Sequence, residues 1–190
     1  MYKTISNEII RSINSKSNLL NIITDENEEL TVRQWVEKYR NVVPPKDILW
    51  LLCRTKFLSD KDLRLFAVWC AREALKLITD PDERSVEACN VAEKFANSEA
   101  TKEELDAADD AAYAVVTSAK SAYYTASTDY AAYYAPYTAA YAAAYAANFS
   151  HIFYAYVAVD YAVEVAYCNA ISDRDAVRTA QVDKLLTYFD

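Results

Sequence analysis

The chain has 190 residues, 53% of them hydrophobic, with 20 Lys and Arg against 28 Asp and Glu, four cysteines, one histidine and no glycine. That length and apolar content are enough to bury a core without disulfides or metal, and they exclude a disordered polyelectrolyte. The net charge of −8 opposes direct binding to nucleic acid, and the lack of glycine, against a usual share of roughly 7%, removes primed hairpin turns and phosphate-cradling loops.

An all-α fold is the expectation left: a multi-helix bundle with long Ala/Tyr-rich helices and a small irregular or hairpin segment at the N-terminus. Residues 1–45 read as that segment and 46–190 as a helical domain. Met1 to Ser17 is polar and carries Lys3, Glu8, Arg11 and Lys16, unlike a signal peptide. Asn21 to Thr31, NIITDENEELT, reads as a loop, with a short hairpin as the alternative. Thr31-x-x-Gln34 then fits a capping box and predicts a helix from Val32 to about Asn41. Pro44-Pro45 ends that helix and starts ILWLLCRT, because proline is tolerated in a helix's first turn.

Ser59-x-x-Asp62 caps the strongest helix, DKDLRLFAVWCAREALKLI, expected to run to Ile78. Leu63, Phe66, Ala67, Cys70, Ala71, Ala74, Leu77 and Ile78 share one side at 100° per residue, while Leu65, Val68, Trp69 and Leu75 lie elsewhere, so it should be covered on more than one side. Asp80-Pro81 separates it from a helix with an Ala88, Cys89, Ala92, Phe95, Ala96 stripe. Thr101-x-x-Glu104 is a second capping box and opens a helix with Leu105, Ala108, Ala112, Val116, Ala119 and Tyr123 on one side. With no glycine for C-caps, helix ends are expected to rely on Ser, Thr, Asp, Asn and Pro.

The acidic excess is local. Between Asp80 and Asp110 there are 11 acidic residues against Arg84, Lys94 and Lys102, which accounts for the whole net charge. Glu103, Asp106, Asp109, Asp110 and Tyr113 fall on the arc opposite the apolar side of their helix, so a basic partner is the electrostatic match.

The stretch AAYYAPYTAAYAAAYAAN, 131–148, belongs to a longer tract rich in alanine, the best helix former. Tyr123, Tyr130, Tyr134, Tyr137 and Tyr141 are spaced by 7, 4, 3 and 4 residues, a coiled-coil-like seam in which small alanines let helix axes approach. Pro136 should kink or restart the helix, and HIFYAYVAVDYAVEVAYCNA should form another. Some of the tyrosines should fill the core and others form a contact surface; Tyr113, Tyr124, Tyr133, Tyr134, Tyr137 and Tyr141 are the candidates for the surface. The charge-free run 130–159 is long enough for a bilayer, but alanine is barely lipophilic and no basic cluster flanks it, so no membrane span is expected. Ser172-x-x-Asp175 should cap a closing helix, DAVRTAQVDKLLTYF, with Val177, Ala180, Leu185 and Tyr188 docking back.

No catalytic signature is found. His151 is the single imidazole and reads as a buried, hydrogen-bonded or partner-contacting residue. Adjacent carboxylates such as Glu103-Glu104 and Asp109-Asp110 point about 100° apart on a helix, which suits a solvated face better than a shared proton or ion. Cys53, Cys70, Cys89 and Cys168 are widely spaced and read as small buried hydrophobes in a reducing cytoplasm. No cofactor or metal is expected, and the chain does not read as an enzyme.

The segment RLFAVWCAR, the D-P with a following S-V-E-A, the V-A-E-K-F-A pattern and A-T-K-E-E-L, all between Leu63 and Ala112, resemble a group of phage and bacterial proteins of which some are labelled immunity proteins. An alanine-aromatic tract and a closing Q-V-D-K-L-L continue the likeness loosely, whereas residues 1–45 are not covered. This chain departs from that family in using tyrosine and almost no arginine in the tract. The resemblance implies a helical, non-enzymatic protein of phage or mobile-element origin, working in the cytoplasm of a bacterial host, that neutralises a toxin or nuclease. Joined to the acidic arc, it points to an inhibitor of a basic nucleic-acid-handling protein such as a CRISPR effector or nuclease, bound through Glu103, Asp106, Asp109, Asp110 and the tyrosines. The alternative is a homo-oligomer, a structural or assembly protein joined through its tyrosine-alanine seam.

Overall fold

The computed structural model describes residues 1–14, 17–22, 27–125, 130–147, 153–168 and 173–189, and within them the side chains other than those of 119–125, 130–136, 153–155 and 168. Among the described residues the architecture is all-α with one two-stranded sheet. Strand β1 (Thr4–Ser6) pairs antiparallel with β2 (Glu29–Thr31), placing Ile5 opposite Leu30. The expected loop over Asn21–Thr31 is therefore corrected at Glu29–Thr31. The partner strand lies 25 residues upstream, where a local reading of turn residues does not reach, and Thr4 Oγ1 donates to Glu29 Oε1 at 2.6 Å across the pair.

Helix starts follow their caps. Ser6 opens α1 (Asn7–Ile13) and α2 (Leu19–Ile22) is a single turn. At α3 (Val32–Tyr39) the capping box forms, with Gln34 N–H donating to Thr31 Oγ1 at 3.2 Å and Thr31 N–H to Gln34 Oε1 at 3.1 Å. Pro45 is the first residue of α4 (Pro45–Leu52). Ser59 accepts from Asp62 N–H at 3.1 Å to start α5 (Asp60–Leu75), and Asp82 accepts from Arg84 N–H at 3.0 Å to start α6 (Glu83–Ala96). The second capping box opens α7 (Lys102–Thr125): Glu104 N–H donates to Thr101 Oγ1 at 3.2 Å and Thr101 N–H to Glu104 Oε2 at 2.7 Å. The Thr101 amide, and after it the Thr101 side chain, bonds the Glu104 carboxylate and holds it below its ordinary value.

Three expected boundaries move. Helix α5 ends at Leu75, and Leu77 and Ile78 lie in the turn that follows. Helix α8 (Tyr130–Ala147) runs through Pro136 instead of restarting there. Proline deprives the carbonyl four residues earlier of its donor. After α9 (Phe153–Cys168), the last helix, α10 (Arg174–Leu186), is capped by Asp173, whose side chain accepts from Asp175 N–H at 3.2 Å; Ser172, the expected cap, lies outside the described residues.

Helix α5 sits at the centre. Leu63, Phe66, Ala67, Cys70, Ala71 and Ala74 are buried, and so are Val68 and Leu75 off that stripe, because α6, α8 and α9 all pack against it. One apolar cluster takes in Ile5, Ile10, Leu19, Val32, Trp35 and Val36 from residues 1–45 together with α4 to α10. Helix α8 lies against α5, α6, α7 and α9, and its buried side chains from Ala139 to Ala147 are all alanine, the residue that lets axes come closest.

Helix C-termini show how a chain without glycine ends its helices. After α6, Ser98 takes the left-handed conformation at φ 63°; its N–H bonds Phe95 O at 3.0 Å and Glu99 N–H bonds Lys94 O at 2.8 Å, the paired bonds of a Schellman motif. Asp80 adopts φ 58° in the turn after α5. At the end of α8 an arginine does the work instead. Arg64, only 6% exposed, donates from Nη1 to Ala147 O at 2.8 Å and Ala146 O at 3.3 Å. Expecting Ser, Thr, Asp, Asn and Pro alone to manage helix ends is thus corrected.

Candidate interaction surface

The candidate surface starts at the N-terminus of α7. Leu105, Ala112 and Val116 bury one side of that helix, so Glu103, Asp106 and Asp110 are turned outward and exposed, with Asp109 half-buried beside them. Lys102 pairs with Asp106 one turn on, an exposed contact worth little in stability but one that removes part of the local field. Glu103 and Asp110 make no ion pair among the described residues. Glu103 and Asp110 are therefore the two carboxylates of the arc left open to a partner among the described residues.

Tyr113 follows Asp109 and Asp110 by four and three residues, on the same side of the helix, and is 55% exposed. Its ring meets Tyr141 of α8 edge-on, with centroids 6.3 Å apart and planes at 83°. Tyr141 is a hub. Tyr137 stands perpendicular to it at 4.8 Å, and Tyr161 of α9 stacks on it at 4.7 Å with planes only 8° apart. Tyr145 stacks on both Tyr141 and Tyr161 at 5.7 Å. Val115, Val116 and Ala140 form a small apolar base under Tyr137 and Tyr141. Such pairs add about 0.5–1.5 kcal/mol each beyond the area they bury, so the ladder ties α7, α8 and α9 together as well as lining a surface.

The structure thus brings together Glu103, Asp106, Asp109, Asp110 and Tyr113 on α7, and joins Tyr137 and Tyr141 to them through Tyr113. Tyr124, Tyr133 and Tyr134 lie outside the described side chains, and His151 lies outside the described residues. Tyr145 and Tyr161 were missed. The four-residue step from Tyr141 to Tyr145 signals the first; the second comes from another helix, and no local spacing announces it.

Chemically the surface offers carboxylates and flat phenol rings. No group of three or more His, Cys, Asp or Glu able to hold a metal occurs among the described residues, and no helix there is long and apolar enough to cross a membrane. Burial pushes the Cys53 and Cys89 thiols up to about 12, far from the thiolate a reactive cysteine needs. The fold and surface together define an α-helical protein with an acidic, tyrosine-bearing flank. No family model matches the chain, and no curated protein or solved structure matches it.

Proposed function

We propose that this is a non-catalytic binding protein of phage or mobile-element origin that inhibits a basic nucleic-acid-handling protein of its host, such as a CRISPR effector or a nuclease. The observation that carries it is the continuity of the exposed acids Glu103, Asp106 and Asp110 with Tyr113 and the Tyr141 ladder. A groove built for nucleic acid presents cations spaced for phosphates and platforms for bases. Carboxylates along one helix face meet the first requirement, and an exposed phenol edge meets the second. The sequence likeness of Leu63–Ala112 to immunity proteins supports the same reading.

The test is capture from host lysate by the full chain, repeated with Glu103, Asp106, Asp109 and Asp110 all changed to Lys. Wild type should retain a basic nucleic-acid-binding protein, released by salt and by competing oligonucleotide. The variant should bind that protein about tenfold more weakly, since four surface pairs at roughly 0.2–1 kcal/mol each sum to about 1–4 kcal/mol, against the 1.4 kcal/mol that makes a decade. Equal capture by the variant removes the mechanism. Concentration-dependent light scattering with no captured protein favours self-association through the tyrosines instead.

A further inference from the structure

Helix α9 holds a small assembly outside the proposed surface. Glu164 and Tyr167, three residues apart, share one guanidinium: Arg174 donates from Nε to Glu164 Oε1 at 3.0 Å and from Nη2 to Oε2 at 2.9 Å, while its Cζ lies 3.6 Å from the centre of the Tyr167 ring. The carboxylate takes the charge and the ring takes the flat face. Lys38 and Lys184, by contrast, stand 5.2 Å from the rings of Tyr39 and Tyr188, since a compact ammonium has no plane to lay against them.

Helix α7 carries a pair of the same kind. Asp110 and Tyr113 are also three residues apart, so they project from one face, and both are exposed, Tyr113 at 55% where Tyr167 is at 52%. Asp110 is one methylene shorter than Glu164, and Asp109, half-buried one turn before the ring, adds a second negative charge. The edge contact with Tyr141, planes at 83°, engages at most one face of the Tyr113 ring and leaves the other bare of the ladder. What differs is the cation. Helix α7 contains no arginine, and Asp110 makes no ion pair among the described residues. Of the two helices packed most closely on α7, α8 carries no charged residue. On the other, α6, Arg84 is committed to Asp82 through Nε at 3.0 Å and Nη2 at 2.8 Å, and Lys94 lies near Glu104.

We infer that Asp110 and Tyr113 form a receptor for an arginine side chain of the partner, with the guanidinium laid flat on the free face of the Tyr113 ring and its N–H groups donating to the Asp110 carboxylate. The inference rests on the reading of this flank as the contact with a basic protein, and it names which basic residue is taken. Carboxylates alone attract any cation. A ring at this spacing selects, and Arg174 on Glu164 and Tyr167 shows the occupant such a pair accepts. Lysine supplies the charge without the plane or the fork of donors.

The experiment titrates the full chain into fluorescein-labelled hexa-arginine and hexa-lysine at low salt and reads anisotropy. Both peptides carry the same charge, so the ratio of their affinities isolates what lysine lacks. The wild-type ratio should exceed that of Tyr113→Leu by about two- to fivefold, the worth of one exposed cation–π contact. Tyr113→Phe keeps the ring and should keep the ratio. Asp110→Asn should narrow the ratio by about twofold, because the paired N–H bonds to the carboxylate are lost, and it decides the point should Tyr113→Leu not fold. A ratio that Tyr113→Leu or Asp110→Asn leaves unmoved overturns the assignment. A chain that captures a basic nucleic-acid-handling protein from lysate while binding both peptides alike keeps the proposed function and loses the arginine receptor. One that prefers arginine through Tyr113 but captures no such protein keeps the receptor and loses the function.

Discussion

Replacing Arg64 with methionine tests how this glycine-free fold closes a buried helix end. Ala146 and Ala147 are the last residues of α8, where carbonyls lack intrahelical donors, and both are buried. Arg64 serves both oxygens and lies over the Phe95 ring at 5.0 Å, contacts that methionine keeps only as packing. Two orphaned carbonyls at about 1–3 kcal/mol each give about 2–6 kcal/mol of destabilisation. Against this, the buried guanidinium is itself strained by desolvation, which pulls it down to about 10 despite Asp60, so its removal returns part of the loss. The expected net effect is about 2–4 kcal/mol, or a fall in Tm of about 5–15 °C for a chain of this size. Urea and thermal unfolding followed by circular dichroism measure it. Arg64→Lys, which keeps the charge but lacks the planar fork, should fall between wild type and Arg64→Met. A loss below about 1 kcal/mol for Arg64→Met would mean that the α8 carbonyls find other partners and that the arginine is no cap.

Ser98→Gly should stabilise the protein by about 0.5–1 kcal/mol, because it relieves a left-handed conformation costing about 1–2 kcal/mol while adding roughly 0.5–1 kcal/mol of unfolded-state entropy. Denaturant midpoints check this, and a lower midpoint for the glycine variant refutes it. The protein should also lose stability as pH rises from about 9 towards 12. Cys53 and Cys89 are pushed from 9.0 to about 12 by burial, and Tyr156 and Tyr188 from 10.0 to about 12. Their folded values are raised, so their contribution is intact below the unfolded values and vanishes as pH passes the folded ones, at about 1.4 kcal/mol per pH unit for each fully buried thiol. Arg64, shifted the other way, opposes this only above about 10. Urea unfolding at stepped pH should show a shallower decline in a Cys53→Ala, Cys89→Ala double variant, and an identical slope would remove the thiols from the account.

The helices were legible because their starts are written in side chains. Thr31 with Gln34, Ser59 with Asp62 and Thr101 with Glu104 each act within one turn, and all three form as spacing predicts. Ends were less legible because they depend on distant residues. Nothing near Ala147 indicates that a guanidinium 83 positions earlier will receive its carbonyl. At Pro136 the restart that proline allows does not occur, since α8 runs on through it, with α5, α6, α7 and α9 packed against that helix. The β1–β2 pair was hidden by sequence separation alone. In the candidate surface, the acidic arc followed from helical period, whereas the tyrosine ladder needed three helices to assemble.

The division of labour between alanine and tyrosine explains why one tract can serve both core and surface. Alanine at the buried positions of α8 brings α5, α7 and α9 close, and close helices leave shallow grooves that only a flat side chain can fill. Tyr137, Tyr141 and Tyr145 occupy that position, half-buried, with their rings spent largely on each other and on Tyr161. Little of their area is left to offer a partner. Tyr113 differs: it leans on the ladder through a single edge contact and keeps more than half of its surface in solvent. The energy of a macromolecular contact concentrates in a few rigid aromatic anchors ringed by polar groups. By that criterion Tyr113, set among Asp106, Asp109 and Asp110 and braced from behind by Tyr141, would be the anchor of the proposed contact, with the ladder as the support behind its ring.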